Sequence, residues 1–213
     1  VTFTAGIATV WLGLLEHWRR EGVRPSALQR IVVGGAPCPP SLLQALEDDF
    51  GVTCQHAWGM TELSPFGATA TLKAKHQQLD AKERLRLRLK QGRAPYGIEM
   101  RLRDDEDREV PHDGATSGHL QVRGAWVASG YFGATGDDCA LTPDGWFPTG
   151  DIATIDADGF MQITDRAKDV VKSGGEWISS IDIQNAAMLH PGVHEAAVVG
   201  VPHPKWQERP LLI

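Results

Sequence analysis

The chain has 213 residues, 42% of them hydrophobic and 23% charged, a globular composition that excludes wholesale disorder, collagen and a coiled coil and is long enough for one to two domains. Its 21 basic against 27 acidic side chains give a net charge of −6, which disfavours counterion-release binding to nucleic acid. No apolar run approaches the length of a membrane span, so no transmembrane segment is expected in this piece. Along the chain, Thr4 can cap a helix over roughly residues 5–21, whose Ile7, Val10, Trp11, Leu14, Leu15 and Trp18 recur at helical spacing. Ile31-Val32-Val33 reads as a buried strand running into Gly34-Gly35, followed by a helix from Ser41 to Phe50 behind Pro39-Pro40 and a strand Val52–His56. Strands separated by helices predict parallel pairing. Residues 82–93 carry six cations and read as a solvated linker element.

From about residue 95 the pattern changes to short alternating strands, Ile98–Arg103, His119–Arg123 and Met161–Thr164, with Asp104–Asp107, His112–Gly114 and Asp156–Gly159 as turns between them. After Asp165 come a Gly-rich turn, a helix over about 179–190, a strand Ala196–Val201 and a further strand beginning near Arg209. Cys38, Cys54 and Cys139 are odd in number and lack CxxC spacing. They read as buried thiols in a reducing compartment, consistent with a cytoplasmic location. Gly130, Gly133 and Gly136 read as turns.

No phosphate-binding GxxxxGK[ST], GxGxxG, HExxH or GxSxG motif occurs. Four local segments remain, each with a physical rationale for chemistry. Val33-Gly34-Gly35-Ala36-Pro37 leaves a strand with small residues, against which a flat ring can lie at the ligand-binding edge of an open α/β sheet. His56-Ala57-Trp58-Gly59-Met60-Thr61-Glu62 offers an aromatic face, a hydroxyl and a carboxylate for a divalent cation. Gly145–Asp151 places a carboxylate after a tight turn, which suits a vicinal diol, and Asp165–Asp169 with Lys172–Trp177 puts charges around a flexible turn. Taken singly, a Gly-Gly turn, a core Trp58, a solvated Glu62 and a salt-bridged loop explain each segment equally well.

In this order the segments resemble the adenylate-forming superfamily, most closely its medium- and long-chain fatty-acyl-CoA synthetases. Trp58-Gly59-Met60-Thr61-Glu62 is similar to the aromatic-G-x-T-E motif, Gly150-Asp151 to T-G-D, and Asp165-Arg166-Ala167-Lys168-Asp169 to the D-R-x-K-D hinge. Gly174–Ser180 and Pro202–Pro210 resemble stretches of the fatty-acid branch. The resemblance implies an α/β fold with a β-rich subdomain: part of a large domain over 1–166 (a parallel sheet layer in 1–75 and a small β-barrel in 95–165), then a truncated, mobile α+β domain from 167. It implies ATP-dependent formation of an acyl-adenylate and its transfer to coenzyme A, with AMP and pyrophosphate released. Gly34, Gly35, Ala36 and Pro37 would line adenine and Trp58, where relatives carry tyrosine, would stack on it, with Gly59 and Met60 in the same nucleotide-binding motif. Thr61 would touch phosphate, Glu62 would ligate Mg²⁺, and Asp151 with Arg166 would hold the ribose. Lys168 would be the hinge, with Lys172, Gly174, Gly175, Glu176 and Trp177 near the adenylate and coenzyme A. The family's phosphate loop has no counterpart here, Thr116-Ser117-Gly118 being too short, and its catalytic lysine would lie beyond Ile213. The chain therefore reads as a central-to-C-terminal fragment, inactive by itself, of a ligase whose partners are small molecules and whose oligomeric state stays open. An aryl-acid or short-chain ligase and a non-catalytic nucleotide-binding module are the competing readings.

Overall fold

In the computed structural model, the described residues are 1–133, 141–174, 176–188, 190, 192–193 and 196–213, with Asn185 described by its backbone. Cys139, Gly136 and Gly175 therefore lie outside the described residues. The chain divides into two units: Val1–Glu99 with Gly124–Ala128 and Asp158–Met161, and Met100–Arg123 with Ser129–Ala157 and Gln162–Ile213.

The first unit is built on β1 (Phe3–Ile7), β2 (Arg30–Gly34) and β3 (Thr53–Gly59), which pair in parallel, with β4 (Phe66–Thr69) antiparallel on β3. Helices α1 (Ala8–Glu21) and α2 (Pro40–Asp48) make the crossovers that parallel pairing requires. The first helix thus opens at Ala8, with Ile7 as its N-cap, instead of near residue 5. Residues 3–7 pair with 30–34 instead, and that ladder satisfies backbone groups which an uncapped first helical turn would leave open. Ala8, Trp11, Leu15 and Trp18 of α1 meet Leu42, Leu43 and Leu46 of α2 over Ile31 and Val33, a stripe at the 3–4 spacing seen in the sequence. The Trp11 indole N–H donates to Val32 O at 3.2 Å. Gly22, at φ +65, ends α1 in the left-handed conformation favoured by glycine.

The cationic stretch is no linker. Residues Ala81–Leu89 form α3, capped by Asp80, whose Oδ1 accepts from Glu83 N at 2.8 Å. Leu85 and Leu89, one helical turn apart, pack against the core of this unit, and Arg88 pairs with Glu47 and donates to Cys54 O at 2.8 Å. The alternation of leucine and cation conceals the i, i+4 apolar pair that decides where the helix lies. Cys38 and Cys54 are buried with sulfurs 3.9 Å apart. Hydrogen bonding to Cys38 and burial push the Cys54 thiol above its usual range.

The second unit contains most of a sheet in the order β5 (Ile98–Arg103), β6 (Gly118–Gly124), β7 (Phe147–Ile155), β8 (Met161–Arg166). The turn over 104–107 forms as expected, Asp104 Oδ1 accepting from Glu106 N at 3.0 Å and Arg108 N at 2.8 Å. A tight turn does precede Asp151, Gly145 N donating to Thr142 O at 2.9 Å, but strand β7 is a correction: the chain runs extended from Phe147, and Asp151 stands inside the strand. Buried residues on both faces of its second half remove the alternation by which a strand is recognised. Beyond β8, a sheet of order β10-β9-β12-β11 forms from β9 (Val171–Ser173), β10 (Glu176–Ile178), β11 (Val198–His203) and β12 (Gln207–Leu212). Helix α4 (Ser180–Met188) packs on β11 and β12. Among the described residues, no helix is long and apolar enough to cross a membrane.

Candidate functional site

The carboxyl ends of β2 and β3 carry the first group of candidate residues. Gly35 has φ +76, a left-handed turn that favours glycine, and it throws Gly35, Ala36 and Pro37 onto the surface while Cys38 returns to the core. Behind them lies His56, 2% exposed, its Nδ1 2.9 Å from Leu89 O and its ring within hydrogen-bonding reach of the Ala36 and Lys90 backbone. One buried imidazole therefore ties the loop after β2 to the end of α3. The sequence does not mark this place for His56, because its partners are backbone groups that a side-chain motif does not contain.

Burial holds the His56 ring below its ordinary pKa of 6.5, outweighing the backbone hydrogen bonds that favour its protonation. The unfolded chain then binds a proton more readily than the folded one, so the contribution of neutral His56 to stability is intact above about pH 6.5 and lost as pH falls below it. We expect the melting temperature to drop between pH 7.5 and 5.5 and His56→Gln to reduce that drop; an undiminished drop in the variant would count against His56 as its source.

Trp58 is 8% exposed, with its ring over Gly67, where a Cβ would come within 2.4 Å of the indole. At Gly59 a Cβ would stand 1.7 Å from Pro65 O, so the chain can fold back here only without a side chain. Met60 then leads into a single 3-10 turn, Thr61–Leu63, with Thr61 exposed, the Glu62 side chain half-buried, and Glu62 O accepting from Ala128 N at 2.7 Å. An exposed hydroxyl next to one carboxylate fits Mg²⁺, which takes few protein ligands and completes its shell with phosphate and water. Among the described residues, no cluster of three His, Cys, Asp or Glu side chains forms a preassembled metal cage.

The second group lies in the other unit. Gly150, at φ +75, kinks β7 and brings Asp151 inward, where its side chain is 2% exposed. Thr149 fixes this kink: its hydroxyl donates to Leu120 O at 2.9 Å and accepts from Asp151 N at 3.1 Å. Ala167 N donates to Gly150 O at 2.9 Å, and Arg166 Nη1 lies 2.9 Å from Asp151 Oδ1 with its side chain 56% exposed. A buried carboxylate is thus paired with a guanidinium open to solvent. Thr149 went unassigned in the sequence reading, although it belongs to the T-G-D motif. Its partner Leu120 is 29 residues away, and only the sheet register brings the two together.

Lys168 is exposed in the turn after β8, closed by Asp169 N and Val170 N donating to Arg166 O, each at 2.9 Å. Lys172 Nζ contacts both Asp105 carboxylate oxygens at 3.0 and 2.8 Å and lies 5.0 Å from the Trp177 ring centroid. His119 Nε2 reaches Asp105 Oδ1 at 3.0 Å and packs edge-on to Trp177. His119 and Lys172 together hold the Asp105 carboxyl below the usual carboxylate range. Glu176 and Trp177 begin β10, opposite Ser173 and Lys172. Gly174 has φ +63, and a Cβ there would meet the Trp206 ring at 2.8 Å; in this structure that close approach is made by Trp206. The structure thus gathers Gly34–Pro37 and Trp58–Glu62 in one unit, and Asp151, Arg166, Lys168, Lys172, Gly174, Glu176 and Trp177 in the other.

The sequence of the AMP-binding enzyme family matches residues 1–132, and that of the AMP-binding enzyme C-terminal domain matches 182–213. The chain is 51% identical over 213 residues to a 3-methylmercaptopropionyl-CoA ligase of Ruegeria lacuscaerulensis and 49% identical to a medium-chain-fatty-acid–CoA ligase of Ectopseudomonas oleovorans. All of it is covered in both cases, together with 39% of each relative, so the chain spans about two fifths of their length. Its fold matches o-succinylbenzoate CoA synthetase from Bacillus subtilis, solved with an acyl-adenylate intermediate, at a TM-score of 0.80 and 29% identity over all of this chain and 40% of that one. On this similarity of sequence and fold, the chain belongs to the AMP-binding enzyme family.

Proposed function

We propose that the protein carrying this chain activates a carboxylic acid with ATP, forming an acyl-adenylate, and passes the acyl group to coenzyme A. The observation that carries this reading is the Asp151–Arg166 pair: a buried carboxylate on a glycine kink, beside an exposed guanidinium. Two fixed carboxylate oxygens suit the two hydroxyls of a ribose, and the guanidinium can reinforce that hold from the solvent side. In this reading the surface loop Gly34–Pro37 borders adenine and Trp58 offers it what remains of its ring face, with Gly59 and Met60 shaping the turn. Thr61 would meet phosphate and Glu62 would hold Mg²⁺, whose charge would screen the anionic carboxylate from the anionic α-phosphate. The substrate carboxylate becomes the acyl–phosphate anhydride and pyrophosphate leaves; the coenzyme A thiolate then displaces AMP. Residues 1–166 belong to the large domain and 167–213 begin a domain that turns at Lys168 between these steps, bringing Lys172, Glu176 and Trp177 to the adenylate. We place the protein in the cytoplasm, a setting that suits the buried thiols Cys38 and Cys54.

A medium- or long-chain fatty acid is the substrate class we favour, from the relative named for medium-chain acids and from one at 48% identity, from Thermus thermophilus, named for long-chain acids. The 51%-identical relative named for a short thioether acid supports a second reading, a short aliphatic acid. Pyrophosphate release by the full-length protein, measured with straight-chain acids of graded length, 3-(methylthio)propionate and benzoate, separates the two. A kcat/KM maximum at or above about eight carbons supports the fatty-acid reading, and a maximum at the thioether supports the second. Preference for benzoate would overturn both, and no release with any acid would overturn the ligase assignment.

A further inference from the structure

The carboxyl of Asp165 has no part in the nucleotide-binding reading, yet it is 2% exposed and fully engaged. It stands near the end of β8, three residues before Lys168. Its Oδ1 accepts from Arg166 N at 2.8 Å, and its Oδ2 accepts from the N–H of Ser180, the first residue of α4, at 2.7 Å. Beside it, the Ser179 hydroxyl donates to Thr164 O at 2.6 Å and accepts from Asp182 N at 3.1 Å. Two adjacent residues before the Lys168 turn therefore hold two adjacent residues after it.

Open space adjoins these bonds. A cavity of about 450 Å³ borders Asp165 and Ser180 on one side, and one of about 280 Å³ borders Thr164 and Ser179 on the other. Helix α4 packs on β11 and β12, within its own part of the chain. A second tie across the turn, Lys172 to Asp105, leaves both side chains 40–45% exposed, where ion pairs are weak. The buried bond from Asp165 to the α4 backbone is charge-assisted and shielded from water, and is the strongest of these links.

We propose that Asp165 is a positioning residue: its carboxyl latches the amino end of α4 to β8 and so holds residues 167–213 in one of the orientations that the Lys168 turn allows. This rests on the two-step reaction proposed above. Rotation about Lys168 must break the Asp165–Ser180 and Ser179–Thr164 bonds, so their strength sets how the protein divides its time between the two steps. A variant with a weaker latch should lose the step served by this orientation and keep or gain the other.

The test uses the full-length protein and its Asp165→Asn variant, in which an amide N–H must face a backbone N–H. ATP–pyrophosphate exchange reports the first step, and thioester formation from added acyl-adenylate and coenzyme A reports the second. We expect the ratio of the two rates to shift by about tenfold or more, as for loss of one hydrogen bond to a charged group. Ser179→Ala, which leaves the buried carboxyl untouched, should shift it less in the same direction and carries the test if Asp165→Asn does not fold. An unchanged ratio in a folded variant, whether both rates fall together or neither moves, would overturn the latch while leaving the ligase reading in place. Absence of both half-reactions in the unmodified protein would instead overturn the ligase reading and the latch with it.

Discussion

Replacing Asp151 by Ala in the full-length protein should lower ATP–pyrophosphate exchange by about 10²-fold, the scale on which small misplacements of a reacting group are felt. Both carboxylate oxygens disappear, and with them the negative half of the Asp151–Arg166 pair. The kink itself should survive, because Thr149 is anchored to Leu120 O and Gly150 O to Ala167 N, independently of the Asp151 side chain. A melting curve close to that of the unmodified protein, together with the loss of exchange, would therefore locate the defect in ribose positioning. Asp151→Asn keeps one accepting oxygen and should retain more activity than the alanine variant. Full exchange activity in Asp151→Ala at subsaturating ATP would remove Asp151 from the ribose-holding role.

A large loss of stability should come from Gly59→Ala. The added methyl carbon would lie 1.7 Å from Pro65 O and 2.8 Å from Pro65 C, and both are backbone atoms. No side chain can swing away to relieve the overlap, so the strand and the turn beyond it must separate. Overpacking of well-filled sites costs about 1–3 kcal/mol and occasionally more, and a backbone collision belongs at or above the top of that range. In a domain of this size, about 3 kcal/mol corresponds to a melting temperature lower by roughly 6–12 °C. Nucleotide binding should weaken as well, because Gly59 joins Trp58 to Thr61 and Glu62. Gly13→Ala on α1, where an added Cβ meets nothing within 4 Å, is the matched control and should be neutral or slightly stabilising. A Gly59→Ala melting temperature equal to that of the control would show that this turn yields easily.

Much of the first unit was legible from local pattern. The stripe Trp11, Leu15 and Trp18, the apolar run Ile31–Val33 and the proline before α2 each specify an element through spacing, burial or fixed backbone geometry. Parallel pairing followed from the intervening helices alone. The failures share one physical origin. Residues 5–7 were read into the helix, with Thr4 as its cap, because edge pairing of 3–7 with residues 30–34 is a long-range contact. Helix α3 was read as solvated because Leu85 and Leu89 are defined as core only by the partners they meet. Strand β7 was hidden by burial on both faces, and the three-residue strands β9 and β10 are too short to show a period.

The candidate site divides in the same way. The residue types, their order and the glycines at tight turns stand in the sequence, because a carboxylate, a hydroxyl or a missing side chain is a local property of one position. That was enough to identify an adenylate-forming family and to single out Asp151, Arg166 and Lys168 as candidates. The tertiary structure decided which groups support them: Thr149 on Leu120 O, His56 between α3 and the Ala36 loop, and Asp165 on the amino end of α4. Each of these is a side chain bonded to a backbone group 15 to 33 residues away. Every residue has a similar backbone, so such partners leave no mark in the sequence, and only the folded register selects them.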